Sequence, residues 1–267
     1  MILQSIKKTL KIIKNNKTKL FLIFFLQVIL FTSLSIISYK TIIPAMDNAK
    51  MAVEYYDSIN MTETSGTFGY LGEDPLSVYN SYNKMMYYLK YLALFAILSI
   101  LLISSIIWPL SSSLIENKSK HQIIDYLFKF IIINLISLLL IYVLIFQKLK
   151  ASIITMEISM LPFISSLFAL LIILYFTFIA LSIISKKTPK DILKTTFRLG
   201  ILKANYILLI YLINIITIAL FSMLVYLTIE LNILLLAITV IFWVFSFVFA
   251  RLFLIVSIDE LDKKLKN

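Results

Sequence analysis

Six long apolar stretches follow one another along this chain, and no Gly, Cys, His or mid-stretch acidic residue interrupts any of them. They run from Leu20 to Ile43, Leu89 to Leu110, Tyr126 to Phe146, Ile158 to Ile184, Tyr206 to Thr228 and Ile233 to Val256. At a helical rise of about 1.5 Å per residue, each is long enough to cross about 30 Å of hydrocarbon. Lipid offers the backbone no hydrogen bonds, so each stretch must satisfy its own N–H and C=O groups as a helix. The expected fold is all-α: a polytopic integral membrane helical bundle with six transmembrane helices as three hairpins, accompanied by amphipathic surface helices. Composition agrees, with 61% hydrophobic and 15% charged residues and a mean hydropathy of +0.97. Soluble domains carry about 45–50% apolar and about 25% charged residues. The first stretch is too long for a signal peptide and lacks a small-residue cleavage motif after it.

The lysines fix an expected orientation. With the N-terminus inside, 19 of the 25 basic residues fall on inner segments, while the other 6 lie on outer segments beside 8 of the 14 acids. The positive-inside rule then places both termini in the cytoplasm. The abundance of Ile, Lys, Asn and Tyr suggests an AT-rich genome and a prokaryotic cell membrane as the compartment. On a soluble protein a net charge of +11 would raise nucleic acid as a partner. Here it serves topology and attraction to anionic lipid headgroups, so the expected partner is the lipid bilayer.

Two inner segments have amphipathic helical patterns and are the expected membrane-surface contacts. In residues 1–19, Ile2, Ile6, Leu10 and Ile13 recur at helical spacing, with Lys7, Lys8, Lys11 and Lys14 largely around the other face. In the inner loop 185–203, Thr188-Pro189-Lys190-Asp191 supplies an N-cap hydroxyl, a proline at the first helical position and an early carboxylate. Ile192, Leu193, Phe197 and Ile201 follow as one apolar stripe, and Lys190, Lys194 and Arg198 can reach phosphates. A weak echo links Leu10–Asn16 to Leu199–Asn205, each leading into a membrane stretch. Ser119-Lys120-His121-Gln122 reads as a capping box opening the middle hairpin. The single His121 reads as a solvated loop residue, since one imidazole makes a poor metal site.

The longest outer segment is the loop 44–88. Met46, Ala49, Val53, Tyr56 and Ile59 keep helical spacing, so the first membrane helix continues outward or a short outer helix follows it. Three of the four glycines, Gly66, Gly69 and Gly72, mark a turn, and Asp74-Pro75 marks a new helix start. Eight of the fifteen tyrosines lie between Tyr55 and Tyr91. They read as an interfacial aromatic belt or, alternatively, as part of a ligand-binding cap. Asn60-Met61-Thr62 is a glycosylation sequon. Residues 20–257 form the membrane domain, and 258–267 are expected as a cytoplasmic tail.

The membrane stretches carry little chemistry. A charge at a helix centre costs roughly 2.5–3.5 kcal/mol on insertion scales and usually marks an ion or proton path. The charged residues within these stretches, Lys40, Lys90, Lys129 and Arg251, lie near helix ends, where long stems can snorkel. Arg251 lies about a turn inside the last stretch, where it snorkels or pairs with Glu116 or Asp125. Gln27, Asn134 and Asn214 are expected as hydrogen-bonding glue between helices. The sequence has no cysteine, no HExxH, no P-loop and no acidic cluster. No catalytic, cofactor-binding or metal residue is therefore expected, and the chain reads as non-enzymatic.

The pattern of basic amphipathic segments followed by hairpins, carried by Ser5 to Leu34 and Asp191 to Ile218, resembles uncharacterised six-helix membrane proteins. These include the membrane domain found beside glycerophosphodiester phosphodiesterases. The opening, Ile6-Lys7-Lys8 through Lys19-Leu20-Phe21-Leu22, also looks like the elbow helix and first membrane helix of ABC-2-type permeases. The two resemblances leave two expectations open. One is a structural or accessory component of the cell membrane with a membrane-protein partner. The other is the permease subunit of an ATP-driven transporter, with an ATPase subunit as partner and Thr188 to Lys203 as coupling segment.

Overall fold

The computed structural model describes residues 2–65, 75–115, 120–155, 160–184 and 188–266. Among these the chain forms eight helices and no strand: α1 (Ile2–Asn15), α2 (Lys17–Ser65), α3 (Pro75–Ser113), α4 (Lys120–Thr155), α5 (Met160–Ile183), α6 (Pro189–Leu202), α7 (Ala204–Thr228) and α8 (Ile233–Lys266). Six of them contain apolar spans of membrane-crossing length: Lys17–Met51, Tyr79–Ser113, Asp125–Leu144, Ile164–Ile183, Ala204–Thr228 and Ile233–Leu265. The protein is an all-α, multi-pass membrane bundle with two short additional helices, α1 and α6.

Several helices outrun their apolar stretches. α2 runs for 49 residues through Pro44 to Ser65, and α3 starts at Pro75, so most of the segment 44–88 is helix. α4 begins at Lys120, which puts His121 in its first turn rather than in a loop. α8 continues to Lys266, and Ile258, Asp259, Leu261 and Asp262 are buried, so the segment expected as a tail is the packed end of a helix. The turn glycines Gly66, Gly69 and Gly72, the cap residue Asp74, Glu116 and Ser119 lie outside the described residues.

The chain divides into two compact units, one made of Met1–Ile29 with Leu101–Asn267 and the other of Leu30–Ile100. The first contains the core. α8 packs on α1, α5 and α7, while α5 also packs on α4 and α6. Phe130, Ile179, Leu199, Ile207, Ile210 and Phe253 are fully buried at its centre. Trp108 stacks on Phe178 at 6.4 Å, and Phe249 on Phe253 at 6.0 Å. In the second unit the tyrosine-rich start of α3 makes a ladder on one helix face, Tyr87–Tyr91 at 4.5 Å and Tyr91–Phe95 at 5.7 Å. Ser81 Oγ comes within 4.0 Å of Met51 Sδ on α2.

Proline in a helix deprives one carbonyl of its donor, and in lipid that carbonyl must find another. Pro109 is followed by three serines whose hydroxyls donate to Ile107 O, Pro109 O and Leu110 O at 2.8–3.0 Å. These bonds reach carbonyls near the end of α3 rather than Ser105 O, the carbonyl four residues earlier that Pro109 deprives of its donor. In the second unit Asn48 Nδ2 donates to the carbonyl of Pro44 at 2.7 Å.

α1 and α6 are alike in build. Each has 14 residues, and a single non-helical residue, Asn16 or Lys203, separates each from the membrane-crossing helix that follows. We call them elbow helices. The start of α6 follows the sequence expectation: Thr188 is the N-cap, its Oγ1 accepts from Asp191 N at 3.4 Å and donates to Asp191 Oδ2 at 2.6 Å, and Pro189 opens the helix. Such a start satisfies N–H groups that would otherwise have no partner.

Candidate functional site

The elbow helices and the C-terminal part of α8 meet at one end of the first unit, where the polar residues gather. α8 supplies Arg251 at its inner packing level and Asp259, Glu260 and Asp262 two to three turns later. A helix that is apolar all round must be buried to place such groups away from lipid. α8 meets that demand, since Leu252 to Asp259 are all buried.

Arg251 is held by neutral groups. Its Nη2 donates to Gln27 Oε1 of α2 at 2.6 Å, and its guanidinium carbon lies 5.6 Å from the Trp108 ring centroid of α3. Its Nη1 is buried and makes no hydrogen bond. Asp125, one of the two acids considered for it, pairs instead with Lys129 at 2.5 Å on its own helix. The guanidinium thus touches two further helices, one through a hydrogen bond and one through a ring. What it provides is a buried link among α2, α3 and α8, with a cation–π contact that burial strengthens.

Further ties surround it. Asn214 Nδ2 of α7 donates to Ala250 O of α8 at 3.2 Å, and Tyr211 Oη to Tyr175 O of α5 at 3.0 Å. Tyr126 Oη of α4 donates to Leu181 O of α5 at 3.4 Å, and Ser137 and Thr177 hydroxyls meet at 2.8 Å. Gln27 and Asn214 thus act between helices, whereas Asn134 Nδ2 returns to Phe130 O of its own helix. Each such tie is worth about 0.6 kcal/mol on average in a bilayer.

A second cluster closes around the end of α8. Ser5 Oγ of α1 donates to Glu260 Oε2 at 2.5 Å, and Lys8 Nζ lies 3.7 Å from Glu260 Oε1. From the other elbow, Arg198 Nη2 donates to Leu265 O at 2.7 Å. That carbonyl is one of the last four of the helix, which have no intrahelical donor and carry the negative end of the dipole. Lys263 pairs with Asp259 at 3.0 Å.

The surface cations named from sequence therefore divide. Lys8 and Arg198 each reach a partner on α8, although Arg198 is exposed, whereas Lys7, Lys11, Lys14, Lys190 and Lys194 are exposed away from it. The apolar stripes divide as well. In α6, Ile192 is buried with Thr196, Leu199 and Gly200, but Leu193, Phe197 and Ile201 are exposed. In α1, Ser5 and Thr9 are the buried positions, with Ile2 and Ile6 against the core and Leu10 outside.

Sequence reasoning passed over Gly200. Tyr175 Oη donates to its carbonyl at 2.8 Å, and a Cβ there would come 2.6 Å from Phe176 Cε1. Any larger residue there would have to push the Phe176 ring aside. The signal was visible, since Gly200 is the one glycine away from the outer turn. No group of three or more acidic, His or Cys side chains suited to a metal occurs among the described residues. No protein-family model matches the chain, and neither a curated protein nor a solved structure does.

Proposed function

We propose that this protein is a non-enzymatic structural or accessory component of the cell membrane, with both termini in the cytoplasm. One observation carries the reading: Arg251, Asn214, Tyr211, Tyr126 and Ser5 tie separate helices of the packed unit together, Arg251 through both Gln27 and Trp108. A group so engaged holds the bundle together rather than turning over a substrate. The basic residues concentrated on the segments around α1 and α6 support the orientation. Purification from native membranes in mild detergent tests the role. A stoichiometric membrane partner whose abundance falls when this chain is deleted is the expected result. Loss of a measurable enzymatic activity on replacing Glu116, Asp125 or Arg251 would overturn it. A reporter fused in the Gly66 region and found in the cytoplasm would overturn the orientation.

A second reading, the permease subunit of an ATP-driven transporter, is favoured by one feature. α6 is a discrete helix that leads directly into α7 and is tied through Arg198 to the end of α8, as a coupling segment would need to be. An ATPase that co-purifies and drives uptake into liposomes containing both proteins supports this reading. Its absence from repeated native preparations removes it.

A further inference from the structure

The two elbow helices solve the same problem with the same parts. In each, one cation reaches across to the end of α8: Lys8 toward Glu260 and Arg198, itself exposed, to Leu265 O. In each, the remaining lysines stay outside next to large apolar side chains that the bundle does not cover. The split is clearest in α6. Ile192, Thr196, Leu199 and Gly200 face the bundle, while Leu193, Phe197 and Ile201 are 63%, 52% and 68% exposed. Those three recur every fourth residue, and so do Lys190 and Lys194 beside them, making two parallel stripes.

An exposed apolar stripe in water is a cost, and it needs a covering phase. Position says which one. Lys203 alone separates α6 from Ala204, the first residue of a 25-residue membrane-crossing span. The helix therefore ends at the edge of the hydrocarbon, where an apolar stripe meets acyl chains and an adjacent basic stripe meets phosphate. α6 stays net basic, with Lys190, Lys194 and Arg198 against the single carboxylate of Asp191. In α1, Leu3 and Leu10 are exposed alongside Lys7, Lys11 and Lys14.

We propose that α6, with α1 as a second instance, is a binding surface for anionic phospholipid headgroups. Lys190 and Lys194 receive the phosphate, and Leu193, Phe197 and Ile201 enter the acyl boundary. The tie of each helix to the end of α8, through Lys8 or Arg198, fixes which face is offered. This rests on the multi-pass reading but not on the accessory role, because lipid binding is measured on the purified chain alone.

The test uses full-length protein in detergent, titrated with phosphatidylglycerol, phosphatidylcholine or inorganic phosphate, with retained lipid read by native mass spectrometry. Phosphatidylglycerol is expected to be retained in preference to phosphatidylcholine. At about fivefold per lysine, the double variant K190Q/K194Q should lose roughly 25-fold in phosphatidylglycerol affinity. K190R/K194R should keep it, and L193N/I201N should weaken both lipids. All four positions are on the surface, so thermal unfolding of the variants should match the parent. Equal retention of the two lipids, or an undiminished preference in K190Q/K194Q, overturns the proposal. So does competition by inorganic phosphate at equal concentration, which would assign the lysines to a soluble anion. An ATPase that binds the parent but not K190Q/K194Q, in the absence of lipid preference, would assign the face to a protein instead.

Discussion

Along α8 the same residue types meet two different surroundings. From Ile233 to Phe242 nearly every large side chain is exposed, Ile233 at 81%, whereas Leu252 to Asp259 are buried and Phe253 is 0% exposed. The first half touches α7, through the Phe221–Phe242 stack and the Thr228–Thr239 hydroxyl pair. The second half is gripped by α1, α5 and α7. A leucine gains little by leaving acyl chains for other leucines, because both are equally apolar. What distinguishes the halves is the set of polar partners near the second one: Gln27, Asn214, Ser5 and Arg198.

The contrast breaks most readily at its extremes. Phe253→Ala removes a ring from the packed half and should cost about 3–5 kcal/mol, whereas Phe242→Ala in the exposed half should change stability by no more than about 0.5 kcal/mol. Unfolding midpoints in detergent compare them, and equal losses would mean that the halves do not differ. At the level of Arg251, Gln27→Leu leaves a buried cation without its acceptor and should cost about 1.5–3 kcal/mol. Arg251→Met removes the charge together with the need for it and should be close to neutral. A reversed order would show that Gln27 does not hold the guanidinium. Gly200→Ala forces Phe176 aside and should cost about 1–3 kcal/mol, read as a fall in unfolding temperature that Ile201→Ala next to it does not share. A smaller loss is expected for Asn214→Leu, at the border of the two halves. Losing its bond to Ala250 O should cost about 0.6 kcal/mol, resolved by double-mutant comparison with a variant elsewhere on α7.

How far the sequence discloses this follows from the same physics. The six spans and their helical state are legible because lipid leaves the backbone no alternative. The start of α6 is legible because Thr188, Pro189 and Asp191 are local chemistry, complete within four residues. Arg251 stands out as a charge in an apolar run, but its acceptor lies 224 residues away, and glutamine at position 27 carries no mark of that pairing. The apolar stripes mislead for a related reason. Ile192 and Leu193 look equivalent in sequence, since hydropathy measures preference against water and neither lipid nor a neighbouring helix is water. α1 misleads further: its most buried positions are Ser5 and Thr9, chosen by the carboxylate of Glu260 and by close helix approach rather than by apolarity.

The contact between Ser5 and Glu260 spans 255 positions, and that separation is also an interval of time. At roughly 5–20 residues per second, α1 leaves the ribosome some 10–50 s before its acceptor exists. Throughout that interval the first elbow has no α8 to close upon, while the helices between enter the bilayer one after another. Closing α1 onto α8 is thus a late event in assembly, and a protease present during synthesis would find α1 open far longer than α6, whose acceptor Leu265 follows Arg198 by only 67 positions.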